Sequence, residues 1–459
     1  MAIASPADHR LVIARVRRRL VPFAFICYVV AYIDRVNIGF AATALQRDLH
    51  LGDAAYGYGA GLFFLGYCLF EVPSNLLLER VGARRWIARI MIAWGLVSMA
   101  TIAISGTSSF YAARILLGLA EAGFFPGMVL YLTYWIPEAE RARTNALFMM
   151  AAPIAIAIGA PVSQAIMTLD GALGLTGWQW LFLVEGVPAV VLGVMALRVL
   201  TDRPEDATWL PPADRAWLVD TMREERARRG AGGHGSLPAS LRSGTFWRLT
   251  MVYFLNTVVT YGVFLWLPKI MQDASKAGGF TVSLLTALPF VVALAAMVVI
   301  GRHSDRTGER RWHVAGCAAM AATGLILAAA FHDNVLLLVL SFTLSQSGQR
   351  SVMSVFWAIP QRLLGGTAAA AGIAFINAIG NLGGWVGPSV MGLLRQSTGS
   401  YSFGLLVLSG SLVAEALLVL TLKLPEPHAR EPRLEPHSPP RPTARHEAHD
   451  GTTITKVKT

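Results

Sequence analysis

Asp34 and Arg35 are adjacent charges of opposite sign inside a stretch, about residues 20–42, that is otherwise apolar enough to cross a bilayer. One charge at the centre of a membrane helix costs about 2.5–3.5 kcal/mol even on insertion scales. Two neighbours about 100° apart on a helix therefore face a polar interior or cavity, which places the chain among proteins that move polar solutes or protons through a membrane. Arg35 is a permanent cation whose planar fork can hold a carboxylate bidentately. Asp34 is an acid that can take up a proton in a low-dielectric site, and Glu121 is a second one in another apolar stretch. Arg114, Gly118 and Glu121 stand at i, i+4 and i+7 and share one helix face. Gly118 lets a neighbouring helix approach closely. Arg114 can bind an anion or hold Glu121 ionised, and the sequence leaves both open. The plainer alternative for Asp34 and Glu121 is a permanent ion pair that only orients helices.

Membrane helices must position these groups. Of 459 residues, 54% are hydrophobic and 15% charged, which would leave a soluble domain with too much exposed apolar surface. About twelve segments reach the roughly twenty apolar residues of one span. They centre near 20–42, 56–78, 86–105, 110–135, 144–169, 179–199, 247–271, 281–301, 313–331, 335–361, 368–395 and 401–423. The first follows Arg17, Arg18 and Arg19 and mimics a signal peptide, but no small-residue cleavage site follows it. The expected fold is all-α and membrane-embedded, with twelve transmembrane helices in two pseudo-symmetric six-helix bundles. The expected division is a segment 1–19, a bundle 20–199, a linker 200–246, a bundle 247–423 and a disordered tail 424–459.

The net charge of +11 is a topology signal rather than a nucleic-acid signal. Arg10, Arg15, Arg17, Arg18 and Arg19 precede span one. Arg80, Arg84, Arg85 and Arg89 lie between spans two and three, Arg141 and Arg143 follow span four, and Arg302, Arg306, Arg310 and Arg311 lie between spans eight and nine. The alternate loops hold only Arg47, Lys269, Lys276 and Arg395. By the positive-inside rule both termini are cytoplasmic. Cys27, Cys68 and Cys317 fall inside spans and read as packing residues, with neither a disulfide framework nor a metal site. The linker contains a polar helix over 213–229 and a Gly-rich stretch 230–235. His428, His437, His446 and His449 in the tail could bind metal, but a solvated Pro- and Arg-rich tail explains them.

An internal repeat divides the chain. Asn75, Glu79, Arg80, Gly82, Arg84 and Arg85 match Gly301, Asp305, Arg306, Gly308, Arg310 and Arg311 at a constant offset of 226 residues, each copy after the second span of its half. At that offset Asp34 and Arg35 become Thr260 and Tyr261, and Glu121 becomes Ser347. Proton chemistry is thus expected in the first half, with hydroxyl, amide and aromatic contacts for a substrate's neutral part in the second.

The repeated loop resembles the signature of the major facilitator superfamily, with Asn75 and Glu79 departing from the Gly and Asp of its first copy. That departure, with Phe70 to Asn75, Tyr32 to Gly39, Arg114 to Gly127, Phe356 to Pro360 and Gly372 to Gly384, is similar to the anion:cation symporter family over residues 20–423. Bacterial tartrate, galactonate, phthalate and hydroxyphenylacetate carriers are its nearest members, and Leu169 to Trp180 leans towards the tartrate-like branch. The resemblance implies proton-coupled uptake of a small organic anion across the bacterial inner membrane by alternating access. It implies that Arg35 binds the carboxylate, that Asp34 and Glu121 carry protons, and that Tyr32, Tyr67, Trp357 and Asn377 line the pocket. Aromatic residues in spans also serve as packing. Glu71, Glu79, Arg80, Asp305 and Arg306 are expected to latch cytoplasmic helix ends in one conformation. Arg350, outside the family pattern, is expected to add a second cation that favours a dianion. Pairing with a buried acid or reaching towards water are its plainer alternatives. Glu185 and Glu415 receive no role. An aromatic carboxylate substrate, or efflux of a drug or metabolite on the same fold, are the alternatives. An enzyme is not expected: there is no metal-ligand spacing, no Gly-rich phosphate loop and hence no nucleotide-binding motif. The expected partners are the anion, protons and lipid, with no cofactor and no nucleic acid, and the chain is expected to work as a monomer.

Overall fold

The computed structural model describes residues 6–231, 242–363 and 367–422. All its regular elements are helical. The first half holds α1 (Pro6–Asp48), α2 (Asp53–Val81), α3 (Ala83–Ala100), α4 (Thr107–Glu121), α5 (Phe124–Trp135), α6 (Glu138–Met149), α7 (Ala151–Met167) and α8 (Gly177–Val199). After the linker helix α9 (Pro212–Ala231) come α10 (Gly244–Ser275), α11 (Gly279–Thr307), α12 (Arg311–Ala330), α13 (Val335–Phe356), α14 (Ala358–Leu363), α15 (Thr367–Asn381), α16 (Gly383–Thr398) and α17 (Ser402–Leu420). The histidines of the tail and most of the Gly-rich linker stretch lie outside the described residues.

The burial pattern is that of a protein dissolved in lipid. Leu69, Val299, Leu336 and Leu417 are more than half exposed, while Asp34, Asn37, Arg114, Glu121, Glu185 and Glu415 are buried. Apolar side chains need no shelter in a bilayer, whereas each of those polar groups does. Ten helices among the described residues, taking α4–α5 and α6–α7 as single spans, are long and apolar enough to cross a membrane. The expected tenth and eleventh spans fall outside that set for two reasons. In α13, Ser341, Ser345, Gln346, Ser347, Gln349 and Ser351 lower the hydropathy, and all six are buried against other helices. The eleventh is divided at Leu382 into α15 and α16, each short of a span.

Two bundles face each other. Within the first, α3 packs on α8 and α2 on α4; within the second, α12 packs on α13 and α17. Between them, α2 meets α16, α7 meets α11 and α1 meets α10. The helix after the linker, α10, is therefore part of the contact between the halves, and the end of the molecule away from the linker is the far end. At the far end the halves are tied by polar contacts. Lys269 binds Asp53 at 2.7 Å and also Gln46, Thr43 donates to Gln272 at 2.7 Å, and the Ala54 amide donates to Gln396 at 2.9 Å. The linker helix α9 rides on the first bundle, through Asp214 with Arg15, Glu225 with Arg141, and Trp217 stacked on His9 at 4.4 Å.

Two local features bear on the site. The fourth span breaks immediately after Glu121, because Gly123 takes φ +85°, and a Cβ there would lie 2.3 Å from Ser74 Oγ. Pro126 then sits in the first turn of α5, where its missing N–H costs nothing. In the repeated loops, Gly82 and Gly308 both adopt positive φ at helix ends, which is why the motif fixes glycine there.

Candidate functional site

Arg35 stands in the second half of α1, and its guanidinium is almost enclosed, with 10% of the side chain accessible. Nη2 donates to Glu121 Oε1 in an ion pair, and Nη1 donates to Tyr261 Oη at 3.5 Å. The cation lies over the rings of Tyr32, Phe63 and Tyr67 at 5.2–5.7 Å. Tyr261 is the residue that occupies the position of Arg35 in the second repeat, so the two equivalent positions meet across the pseudo-two-fold. Glu121 is presented at the last residue of α4, where the break in the span ends the helix against the cage. Broken membrane helices of this kind place polar backbone and side chains at a ligand site.

Behind the cage lies a second polar layer. Arg114 does not pair with Glu121. It donates to the Ala60 carbonyl at 3.2 Å and, like Arg35, packs over the Phe63 ring, at 5.2 Å, while Nε and Nη1 have no hydrogen-bond partner. In this conformation the ion-pair partner of Glu121 is Arg35 and not Arg114. Asp34 points away from Arg35. Its Oδ1 accepts from Ser98 at 2.5 Å and from Asn37 at 3.4 Å, and its Oδ2 is unpartnered. Asp34 is thus not in a closed pair with its neighbour Arg35, so the orienting ion pair is not what the structure contains at this position.

Trp357 and Asn377 belong to a neighbouring cluster rather than to the wall around Arg35. Tyr253 packs at a tilt against Trp357, ring centroids 4.9 Å apart, and donates to Asn377 Oδ1 at 3.1 Å. Asn377 in turn donates to Glu71 Oε1 at 2.6 Å, a hydrogen bond between the two halves. Glu71 lies one turn beyond Tyr67 on α2, so the two clusters adjoin. Of the expected latch, Glu71 is engaged in this way. Asp305 pairs with Arg310 at 2.6 Å inside its own loop, and Glu79, Arg80 and Arg306 are exposed without an ion-pair partner among the described residues. Arg350 is half-buried on α13 with its guanidinium over Phe290 at 5.4 Å, and no acid among the described residues pairs with it. Phe290 packs on Phe264, one turn past Tyr261, which sets Arg350 near the level of the cage.

Several partners carried no sequence signal. Ser98 is one serine in an apolar helix. Phe63 is indistinguishable in type from lipid-facing phenylalanines. Tyr261 was visible only through the repeat offset. The far-end tie was foreshadowed only by Lys269, one of few cations in the alternate loops. The Leu169–Trp180 segment lies at the far end, where Trp178 donates to Asp48 at 2.9 Å, and it contributes nothing to the cage. Among the described residues no group of three or more His, Cys, Asp or Glu side chains could hold a metal ion.

A family model described as Major Facilitator Superfamily matches residues 24–278 and 249–454. Two Agrobacterium vitis proteins, each named "Putative tartrate transporter", are similar to the chain. One is 47% identical over 422 residues, spanning 92% of this chain and 93% of its own length. The other is 48% identical over 416 residues, spanning 91% and 95%. The fold is that of the solved inward-open conformation of the xylose transporter XylE from E. coli, with a TM-score of 0.73 at 14% identity, covering 88% of this chain and 96% of that one.

Proposed function

The chain belongs to the major facilitator superfamily of membrane transporters, and from that premise we propose that it takes a small hydroxy-dicarboxylate anion such as tartrate into the cell together with protons, by alternating access. The observation that carries this reading is the ion pair of Arg35 with Glu121 inside the aromatic cage. The cation that would hold a substrate carboxylate is already occupied by a carboxylate of the protein. A proton delivered to Glu121 removes that competitor and frees the fork of Arg35 for the substrate. Empty, the pair is neutral. Loaded with one carboxylate and one proton, the site is neutral again. Either passenger alone leaves a net charge among the rings, and an uncompensated charge in such an interior costs several kcal/mol. The two passengers therefore bind together, which is the requirement for coupling.

In this reading, residues 20–199 and 247–423 are the two bodies that rock about the cage, joined by 200–246, with both termini cytoplasmic and one chain sufficient for transport. The far-end tie of Lys269 and Asp53 holds one side shut, and Glu79, Arg80, Asp305 and Arg306 engage when the linker end closes. Asp34 takes part in proton uptake, while Arg114 supports the cage over Phe63. Tyr32, Tyr67 and Tyr261 wall the site, and Trp357 and Asn377 extend it towards the linker end. The names of the two Agrobacterium vitis relatives support the substrate class.

The second carboxylate of a dianion needs a second cation, and Arg350, without an acidic partner, is the candidate. Arg350→Gln is expected to lower uptake of tartrate about tenfold or more, the value of one charge-assisted hydrogen bond, while a monocarboxylate is affected less than about twofold. Equal losses for both anions would remove Arg350 from substrate recognition. The function itself is tested in proteoliposomes with an imposed pH gradient. Acid outside is expected to drive accumulation of labelled tartrate, with alkalinisation of the outer medium. Uptake indifferent to the gradient contradicts symport, and extrusion against an acid exterior would indicate efflux.

A further inference from the structure

Glu185 lies on α8, is buried in the first bundle, and is used by none of the chemistry above. Its Oε1 accepts from Ser163 Oγ of α7 at 2.7 Å, and its Oε2 is buried without a partner. It adjoins Asn37 of α1, whose amide donates to Asp34 Oδ1 at 3.4 Å and whose own carbonyl Oδ1 is unpartnered. One buried pocket thus contains three acceptor oxygens with no donor: Asp34 Oδ2, Asn37 Oδ1 and Glu185 Oε2. Buried polar atoms are almost always satisfied, so donors are missing here. A carboxylic acid proton on Glu185 or Asp34 supplies one.

Charge points the same way. Around this pocket, α1 contributes Asp34, α3 contributes Ser98, α4 contributes Arg114 and Glu121 beyond Asp34, and α7 contributes Ser163. With Arg35, that makes two buried cations against three buried carboxyls. Glu121 has Arg35, and Asp34 has Arg114 nearby. Glu185 has a hydroxyl and an amide only. One proton on the Asp34–Glu185 pair balances the set.

We propose that Glu185 is a proton-carrying residue of the transport cycle, sharing one proton with Asp34 on either side of the Asn37 amide. With the proton on Glu185, its hydroxyl donates to Asn37 Oδ1 and the Asn37 NH2 donates to Asp34. With the proton on Asp34, the amide is turned round and donates to Glu185. Both arrangements give Asn37 Oδ1 and Glu185 Oε2 a partner, whereas an ionised pair leaves Asn37 Oδ1 without a donor. Asn37 is therefore a positioning residue that links two acids, and the pair constitutes a proton site additional to Glu121. This rests on the proton-coupled reading above and sets the number of protons that reading requires.

The test is the proton count. In proteoliposomes with a fixed tartrate gradient, the pH gradient that just nulls net flux reports protons per anion. Each proton carried multiplies the attainable accumulation by about ten per unit of pH gradient. Glu185→Gln, which keeps size and a donor, is expected to lose one such factor while retaining tartrate exchange across the membrane. An unchanged null point in a variant that transports overturns the proposal. If the wild type itself shows no proton dependence, it is the proton-coupled reading that fails. Should Glu185→Gln not assemble, Ser163→Ala serves instead. It removes the hydroxyl donated to Glu185 and is expected to displace the pH profile of uptake, whereas an unmoved profile leaves Glu185 a packing residue and sinks the idea.

Discussion

Arg35→Lys is expected to weaken substrate binding by about 10- to 100-fold, the equivalent of losing one charge-assisted hydrogen bond of roughly 1.5–3 kcal/mol. Lysine keeps the positive charge, so a simple electrostatic role would survive the change. It cannot span two oxygens in one plane, and the guanidinium of Arg35 is held flat among Tyr32, Phe63 and Tyr67 while bonding to groups on both bundles. An ammonium on a shorter reach keeps at most one of those contacts. Titration calorimetry with tartrate on the purified variant measures the loss directly. Affinity within about twofold of the wild type would show that Arg35 orients helices and does not hold the substrate.

Glu121→Gln is the second large effect, and of a different kind. Glutamine imitates the protonated acid and can never compete for Arg35 as a carboxylate. The variant is expected to bind tartrate at least as well as the wild type and to lose the pH dependence of that binding. It is also expected to exchange labelled for unlabelled substrate. Uphill accumulation should fall by about tenfold per unit of imposed pH gradient, because one proton is no longer carried. Counterflow and gradient-driven uptake on the same vesicles separate the two. A variant that still concentrates tartrate as the wild type does would put the coupling proton elsewhere.

The chemistry of the cage was legible because charge is conspicuous in an apolar sequence. Asp34, Arg35, Arg114 and Glu121 announce themselves by cost, since an intramembrane charge survives only where something needs it. The repeat announced the fold and, through its offset, Tyr261. The rest depended on tertiary placement. Sequence spacing put Arg114 and Glu121 on one helix face but could not show that Glu121 would turn to Arg35, since the break at Gly123 ends that helix between them and α5. Asn377 was expected at the substrate and is found bonded to Glu71, because α15 meets α2 there. The tenth span was counted as an ordinary membrane helix, yet α13 is lined with buried serines and glutamines, and an apolar-run count does not see which side a serine faces. Glu185 had no assignable role in sequence because its partners, Asn37 and Ser163, come from other helices, 148 and 22 residues earlier in the chain.

The central claim is that a proton on Glu121 and a carboxylate on Arg35 arrive together. It is tested most directly by adding tartrate to the purified protein in weak buffer and following the pH of the solution. The account predicts net proton uptake on binding, in proportion to the anion bound, at pH values where the unliganded Arg35–Glu121 pair is intact. It predicts that Glu121→Gln binds the anion with that Glu121-dependent uptake lost. Saturating binding to the wild type with no proton uptake at any pH, or uptake of the same size in the Glu121 variant, would contradict it.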